Sequence, residues 1–393
     1  MDGYLTTLQT LGLLVGGMCY ALLGSIKVPL AKRLDIEEGK VGGLISAFGF
    51  TMIPMAFAAG FLADAIGREV VLAAACGILI ASVLVLANVN SYIVAVISVL
   101  LLGTGWSALV NVLNALQGPA FLPFFREGAP LSTAMNMGDF IFGIGAFAMP
   151  IATAMMLARV GLRKTFSIFS VLIVVTLGFV FLVNWEPLTP VKVAAEDASF
   201  GRLVSDTTVL LCCLAFFFHV PMEACVGVWA TTLMKDQGVS EGRASSLLSV
   251  FWMAFTLSRL VAALTMAALT MIAGTDHVIL MVLSGACVGL TLGLAVSKSK
   301  EMTSGFIILA GAVMGPTFPI LIALLITHVQ SDLSEQLVGR AIGLFFCIGG
   351  IGWAVIPLLV GKIAQKTSVQ KSFFVVAGAA ACLTAVAVVL NFV

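Results

Sequence analysis

Charge is what this sequence lacks. Of its 393 residues only 10% are Asp, Glu, Lys or Arg, while 61% are hydrophobic and the mean hydropathy is +1.15. A soluble domain carries about 25% charged residues, so this chain cannot clothe itself in a solvated surface, and lipid must cover most of it. The net charge is +1, which removes any bulk attraction for nucleic acid. The cysteines (Cys19, Cys76, Cys212, Cys213, Cys225, Cys287, Cys347 and Cys382) all fall inside apolar runs without metal-ligand spacing, and read as small core residues. No Walker loop, dinucleotide fingerprint, zinc ligand set or catalytic-triad spacing occurs. Neither a cofactor nor a metal is therefore expected, and the chain does not read as an enzyme. An ATP-driven pump would need a soluble nucleotide-binding domain, and the apolar runs leave no length for one. The start carries no basic residue and its first apolar run is too long for a cleavable signal peptide, so none is expected.

What is present is a series of apolar stretches, each long enough to span about 30 Å of hydrocarbon. Their spacing predicts twelve transmembrane helices over roughly 5–30, 41–65, 69–88, 92–117, 131–158, 164–184, 207–233, 245–271, 277–297, 302–328, 337–363 and 372–392. The 39 glycines are dispersed, as close helix–helix packing in lipid requires. One polar stretch, with Trp185, Pro187, Pro190, Lys192, Glu196, Asp197 and Arg202, divides the chain. The expected organisation is an N-terminal six-helix bundle (1–184), a cytoplasmic linker (185–206) and a C-terminal six-helix bundle (207–393). That is the layout of a secondary transporter built from two repeated bundles, with its solute site between them near the bilayer midplane.

The segment Gly60-Phe61-Leu62-Ala63-Asp64-Ala65-Ile66-Gly67-Arg68 packs two charges and two glycines into a short turn between apolar runs. Its spacing resembles the loop between helices 2 and 3 of the major facilitator superfamily of secondary transporters. The resemblance implies an all-α integral membrane protein of twelve helices in two bundles, working by alternating access. It also implies that Asp64 and Arg68 form a conformational latch: the acid meets a helix N-terminus and the arginine a carboxylate across the seam between the halves. Both termini are then cytoplasmic, in a cell inner membrane, and a monomer is the default. The charge distribution opposes that orientation. Arg68, Arg126, Lys192, Arg202 and Arg340 fall on the side of this turn, and most of the other basic residues, of 20 in all, fall on the opposite side.

Further motifs narrow the resemblance. Phe216-Phe217-Phe218-His219-Val220-Pro221-Met222-Glu223, Phe251-Trp252-Met253 with Ser258-Arg259, Gly311-Ala312-Val313-Met314-Gly315-Pro316-Thr317-Phe318-Pro319, Gly339-Arg340-Ala341-Ile342-Gly343, and Asn136 followed by Phe142-Gly143-Ile144-Gly145 and Pro150 are similar to the fucose/glucose–proton symporter branch. That branch typically carries proton-coupling carboxylates in helices 1 and 4. Here helix 1 has no internal acid, and helix 4 has Val110 and Asn111 where the acid is expected.

Charge inside a bilayer is costly and usually functional. Lys27, Asp139, Glu223 and Arg259 lie within the expected spans, with His219 as a titratable neighbour. His219 and Glu223 are four apart and share a helix face. Glu223 would accept solute hydroxyls or carry a proton, with His219 tuning it; a structural hydrogen bond pinning the helix is the alternative. Asp139 is the second proton-coupling candidate, or else a packing acid paired with Asn111 or Asn114. Lys27 would gate by pairing with Glu223, or simply snorkel to the interface. Arg259 reads as structural or gating.

Sugars are recognised by amides and carboxyls around an aromatic platform. The solute-binding candidates are Asn111, Asn114, Gln117, Asn136, His219, Glu223, Trp252 and Trp353, with Trp106 and Trp229 as further aromatics. The reading is a transporter of a small polar solute, preferentially a monosaccharide or sugar derivative, with H+ as the coupling ion and the lipid bilayer as its solvent. An organic-anion carrier favoured by Lys27 and Arg259, an exporter of apolar compounds, and a sensor on the same scaffold are the alternatives.

Overall fold

The computed structural model describes residues 3–189, 199–268 and 275–392. Linker residues Pro190, Lys192, Glu196 and Asp197, and the last residues of the expected 245–271 span, lie outside them. Among the described residues there is no strand. The helices are α1 (Gly3–Ser25), α2 (Lys27–Leu34), α3 (Glu38–Ile66), α4 (Arg68–Ala87), α5 (Tyr92–Phe121), α6 (Leu131–Val180), α7 (Phe200–Ser205), α8 (Thr207–Asp236), α9 (Glu241–Ala268), α10 (Thr275–Val296), α11 (Lys300–Met314), α12 (Thr317–His328), α13 (Val338–Lys366) and α14 (Val369–Leu390).

Eleven helical stretches of the described residues are long and apolar enough to cross a membrane. One of them, α6, runs for 50 residues, about 75 Å of helix. Gly161 breaks it with φ 75 and ψ 172, a backbone conformation open to glycine. Each side of that break is long enough to span, which gives twelve stretches of spanning length among the described residues, the number the hydropathy pattern predicts.

Helix boundaries follow local chemistry. Ser91, Asp206, Ser299 and Ser368 cap α5, α8, α11 and α14 by accepting a backbone N–H three residues on. The expected 5–30 span is divided at Ile26, because Pro29 has no N–H to offer the Ser25 carbonyl. The expected 302–328 span is likewise divided at Gly315–Pro316. Helix α8 instead continues through Pro221. A single residue, Gly67, with φ 100, joins α3 to α4.

Packing groups the chain into two compact units. The first comprises Met1–Phe124, Gly138–Phe200 and Leu333–Cys347; the second comprises Phe125–Met137, Gly201–Asp332 and Ile348–Val393. The start of α13 thus belongs to the first unit and the start of α6 to the second.

In the first unit α5 is the hub, packed against α1, α3 and α4. Gln9 of α1 donates its side-chain amide to the Leu113 carbonyl, and Ser82 and Ser98 exchange hydroxyl bonds between α4 and α5. Helix α1 meets α6 through glycines: a Cβ at Gly17 would overlap the Phe142 carbonyl, and one at Gly145 the Leu14 carbonyl. Lipid offers no hydrophobic drive between helices, so such close backbone approach supplies the cohesion.

In the second unit α10 and α8 pack on α14, and α9 on α11. A Cβ at Gly311 would lie 2.4 Å from the Phe251 carbonyl oxygen. At one end His328 joins two elements. Its Nε2 lies 3.0 Å from Asp206, the cap of α8, and its Nδ1 lies 3.2 Å from Asp332.

Candidate functional site

The first unit contains the most elaborate polar arrangement, at the turn between α3 and α4. Asp64, with a side chain 2% exposed, accepts the Gly339 N–H at Oδ1 (3.0 Å) and the Arg340 N–H at Oδ2 (2.8 Å). These are the second and third residues of α13, which continues directly from the 3-10 turn Glu335–Leu337, itself capped by Ser334 accepting the Gln336 N–H. Asp64 adds acceptors to the first turn of α13 from another helix, and its negative charge sits at the positive end of the helix dipole. The Arg340 guanidinium pairs with Asp64 at 3.6 Å and covers the Phe61 ring at 5.2 Å. Arg68 reaches Glu335 at 3.8 Å and donates to the Leu188 carbonyl at 3.3 Å.

Absent side chains make this approach possible. A Cβ at Gly60 would lie 2.2 Å from the Gly339 oxygen, and one at Gly343 would lie 2.8 Å from the Ala56 oxygen. Ala56 and Gly60 on α3 thus face Gly339 and Gly343 on α13, each pair four apart, a small-residue pairing of two helices. Gly339, Gly343 and Glu335 were not among the candidates read from the sequence. Glycines at helical spacing occur throughout this chain, so spacing alone did not single them out.

The buried amides of α5 line up inward from this turn. Asn111 donates to the Gly339 carbonyl at 3.2 Å and the Ala56 carbonyl at 3.5 Å. Asn114 donates to the Val110 carbonyl at 2.8 Å, and Gln117 donates to Asn114 Oδ1 at 3.1 Å. The Gln117 amide lies over Gly138, where a Cβ would stand 2.2 Å from its oxygen. Asp139, the next residue of α6, is buried. Trp106 donates to the Gly16 carbonyl at 2.8 Å, with Tyr20, Phe48 and Phe142 around its ring at 5.8, 6.0 and 6.3 Å. Lys27 begins α2, half-buried.

The second unit holds His219, Glu223 and Arg259. His219 is fully buried, and its Nε2 lies 4.0 Å from Glu223, whose side chain is 21% exposed. The Phe216 ring stacks on His219 at 6.4 Å and is seated against Gly349 of α13. Arg259 of α9 is buried, lies within electrostatic range of His219, and stands over the Phe255 ring at 4.4 Å. Its Nε donates to the Gly315 carbonyl at 3.0 Å.

The remaining candidates of this unit are placed by packing. Asn136 is buried, donating to the Ser132 carbonyl at 2.9 Å and to Met266 sulfur at 3.6 Å. Ser132 donates to Asp276 at 2.8 Å. Trp252 packs edge-on against Phe251 and Phe255 and covers Gly227. Trp353 is half-buried on α13. No group of three or more His, Cys, Asp or Glu suited to a metal occurs among the described residues.

The described residues thus form apolar helices of membrane-spanning length, with titratable side chains buried among them and a charged clasp at the turn between α3 and α4. Residues 212–393 match the Major Facilitator Superfamily. The transporter FucP, solved in the outward conformation, superposes with a TM-score of 0.80 at 14% identity, covering 97% of each chain. A second structure of this E. coli fucose:proton symporter gives 0.79 at 15% identity over 99% of both chains. The human organic anion transporter TETRAN gives 0.74 at 15% identity, covering 98% of this chain and 99% of that one. The proton:xylose symporter XylE gives 0.73 at 14%, covering 97% and 94%. No curated protein is near enough in sequence to be matched. The chain has the fold of a major facilitator superfamily transporter, and transporters of this superfamily are not enzymes.

Proposed function

We propose that the protein moves a small polar solute, a monosaccharide or sugar derivative, by alternating access with proton symport. The observation that carries this reading is the His219–Glu223 pair: a carboxylate partly open to its surroundings beside a fully buried imidazole, in the middle of an apolar helix. Titratable groups at membrane depth mark ion and solute pathways. The amides of Asn114 and Gln117, continuous along α5, supply donors and acceptors for hydroxyls. FucP is a fucose:proton symporter and XylE a proton:xylose symporter, which supports the same reading. Glu223 carries the proton in this scheme, with Asp139 as the second acid and Lys27 as its gating partner. The Asp64–α13 clasp is the latch that locks and releases one face. We place the protein in a cell inner membrane as a monomer with cytoplasmic termini, organised as bundles 1–184 and 207–393 joined by linker 185–206.

A second reading rests on Arg259, buried in the unit that holds His219. A guanidinium there suits a sugar acid or another small organic anion, and TETRAN is an organic anion transporter.

The test is charge movement in proteoliposomes on a solid-supported membrane, challenged with neutral hexoses and then hexuronates across pH. A positive current with a neutral sugar that disappears in Glu223→Gln establishes proton-coupled sugar transport. Silence with sugars and a response to anions that requires Arg259 or Lys27 moves the assignment to an anion carrier. A current that survives both Glu223→Gln and Asp139→Asn, with unchanged pH dependence, overturns the coupling role of these acids.

A further inference from the structure

Gly339 is held from two sides. Its N–H goes to Asp64 on α3, 3.0 Å away, and its carbonyl receives the Asn111 amide from α5 at 3.2 Å. The same amide group lies 3.5 Å from the Ala56 carbonyl of α3. Asn111 is 1% exposed, and its Oδ1 has no hydrogen-bond partner. Its donor function is thus engaged on α3 and α13, and its acceptor faces no donor.

We propose that Asn111 is the inner jaw of the Asp64 latch and not a solute ligand: it holds the α13 N-terminus closed from the carbonyl side, and it does so from the helix that carries Asn114 and Gln117. Asn111 and Asn114, and Asn114 and Gln117, are each three apart on the one helix α5, so each pair is adjacent on its surface. A movement of α5 that repositions Asn114 and Gln117 must therefore carry the Asn111 amide with it. The jaw role stands on geometry alone. Its coupling to solute binding rests on the solute role proposed above for Asn114 and Gln117.

The chemistry at position 111 is selective. The amide faces two carbonyl oxygens, so it must donate. In Asn111→Asp an ionised carboxylate offers only acceptors to those oxygens and repels them, while the protonated form donates one hydrogen bond. The charged groups paired at the start of α13 are Asp64, Arg68, Glu335 and Arg340, so the wild type measured over the same pH range is the reference.

The experiment is hydrogen–deuterium exchange of the full chain in nanodiscs without any solute, which separates failure of this inference from failure of the transport reading. Asn111→Ala is expected to speed exchange in peptides covering 333–347 by about five-fold, the loss of one ordinary hydrogen bond, with α14 unchanged. Asn111→Asp is expected to exchange like the wild type in that peptide at low pH and several-fold faster at high pH. Unchanged exchange of 333–347 in Asn111→Ala overturns the assignment. So does an increase shared equally by α14, which marks a general loss of packing. Should Asn111→Ala fail to assemble, the absence of a pH difference in Asn111→Asp overturns it instead.

Discussion

Arg259 donates through Nε to the Gly315 carbonyl, 3.0 Å away, an oxygen that its own helix cannot satisfy. Four residues on stands Pro319, which has no N–H. The break between α11 and α12 thus exposes a carbonyl at membrane depth, and a residue of α9 closes it. Removing the guanidinium in Arg259→Ala should destabilise the protein by about 1–3 kcal/mol. Arg259→Lys should recover only part of this, since the ammonium lacks the planar fork. Pro319→Ala supplies the missing N–H, so the double variant Arg259→Ala/Pro319→Ala should lose less than the sum of the singles. Strict additivity in a thermal-unfolding cycle would remove this account of Arg259.

The latch should respond to the acceptor at position 64. Asp64→Ala strips two N–H groups of α13 of their partner and should weaken the closed contact by about 1–2 kcal/mol. Asp64→Asn keeps one acceptor oxygen but loses the charge against the helix dipole, and should fall between. Proteolysis at the start of α13 is the readout. Equal cleavage of wild type and Asp64→Ala would show that the cap does not hold this end.

Backbone contact between α3 and α13 leaves no room for a methyl group. Gly60→Ala would place its Cβ 2.2 Å from the Gly339 oxygen, which as backbone cannot yield. The expected outcome is a folded protein with its latch forced apart and transport strongly reduced, at a cost of about 1–3 kcal/mol for overpacking. Gly77→Ala is the comparison: nothing lies within 4 Å of its added Cβ. It should be neutral or slightly stabilising, by up to about 1 kcal/mol. Similar transport by the two variants would sink the close-contact argument.

Trp106 separates a packing role from solute contact. Trp106→Phe keeps an aromatic ring beside Tyr20, Phe48 and Phe142 but loses the bond to the Gly16 carbonyl. A stability loss of about 1 kcal/mol with unchanged solute affinity is expected. A large affinity change at wild-type melting temperature would return Trp106 to the solute site.

The layout of this protein is written in its hydropathy. Apolar runs of spanning length, punctuated by Gly67 and Gly161, determine twelve helical crossings and a membrane location, because the cost of unpaired backbone in lipid acts on each segment by itself. The fates of the individual polar side chains are of another kind. Asn111 takes a partner 228 residues away, Gly339, and no local pattern contains that pairing. Arg259 reads in sequence as a charge in a membrane span, and only the fold shows it closing the carbonyl that Pro319 abandons. Asn136 reads as a sugar amide and lies buried, donating to its own helix and to Met266. Which residues are buried polar groups is a property of the chain. Which partner satisfies each one is decided by the packing of helices distant in sequence, where a hydrogen bond without competition from water binds whatever donor or acceptor the fold brings within reach.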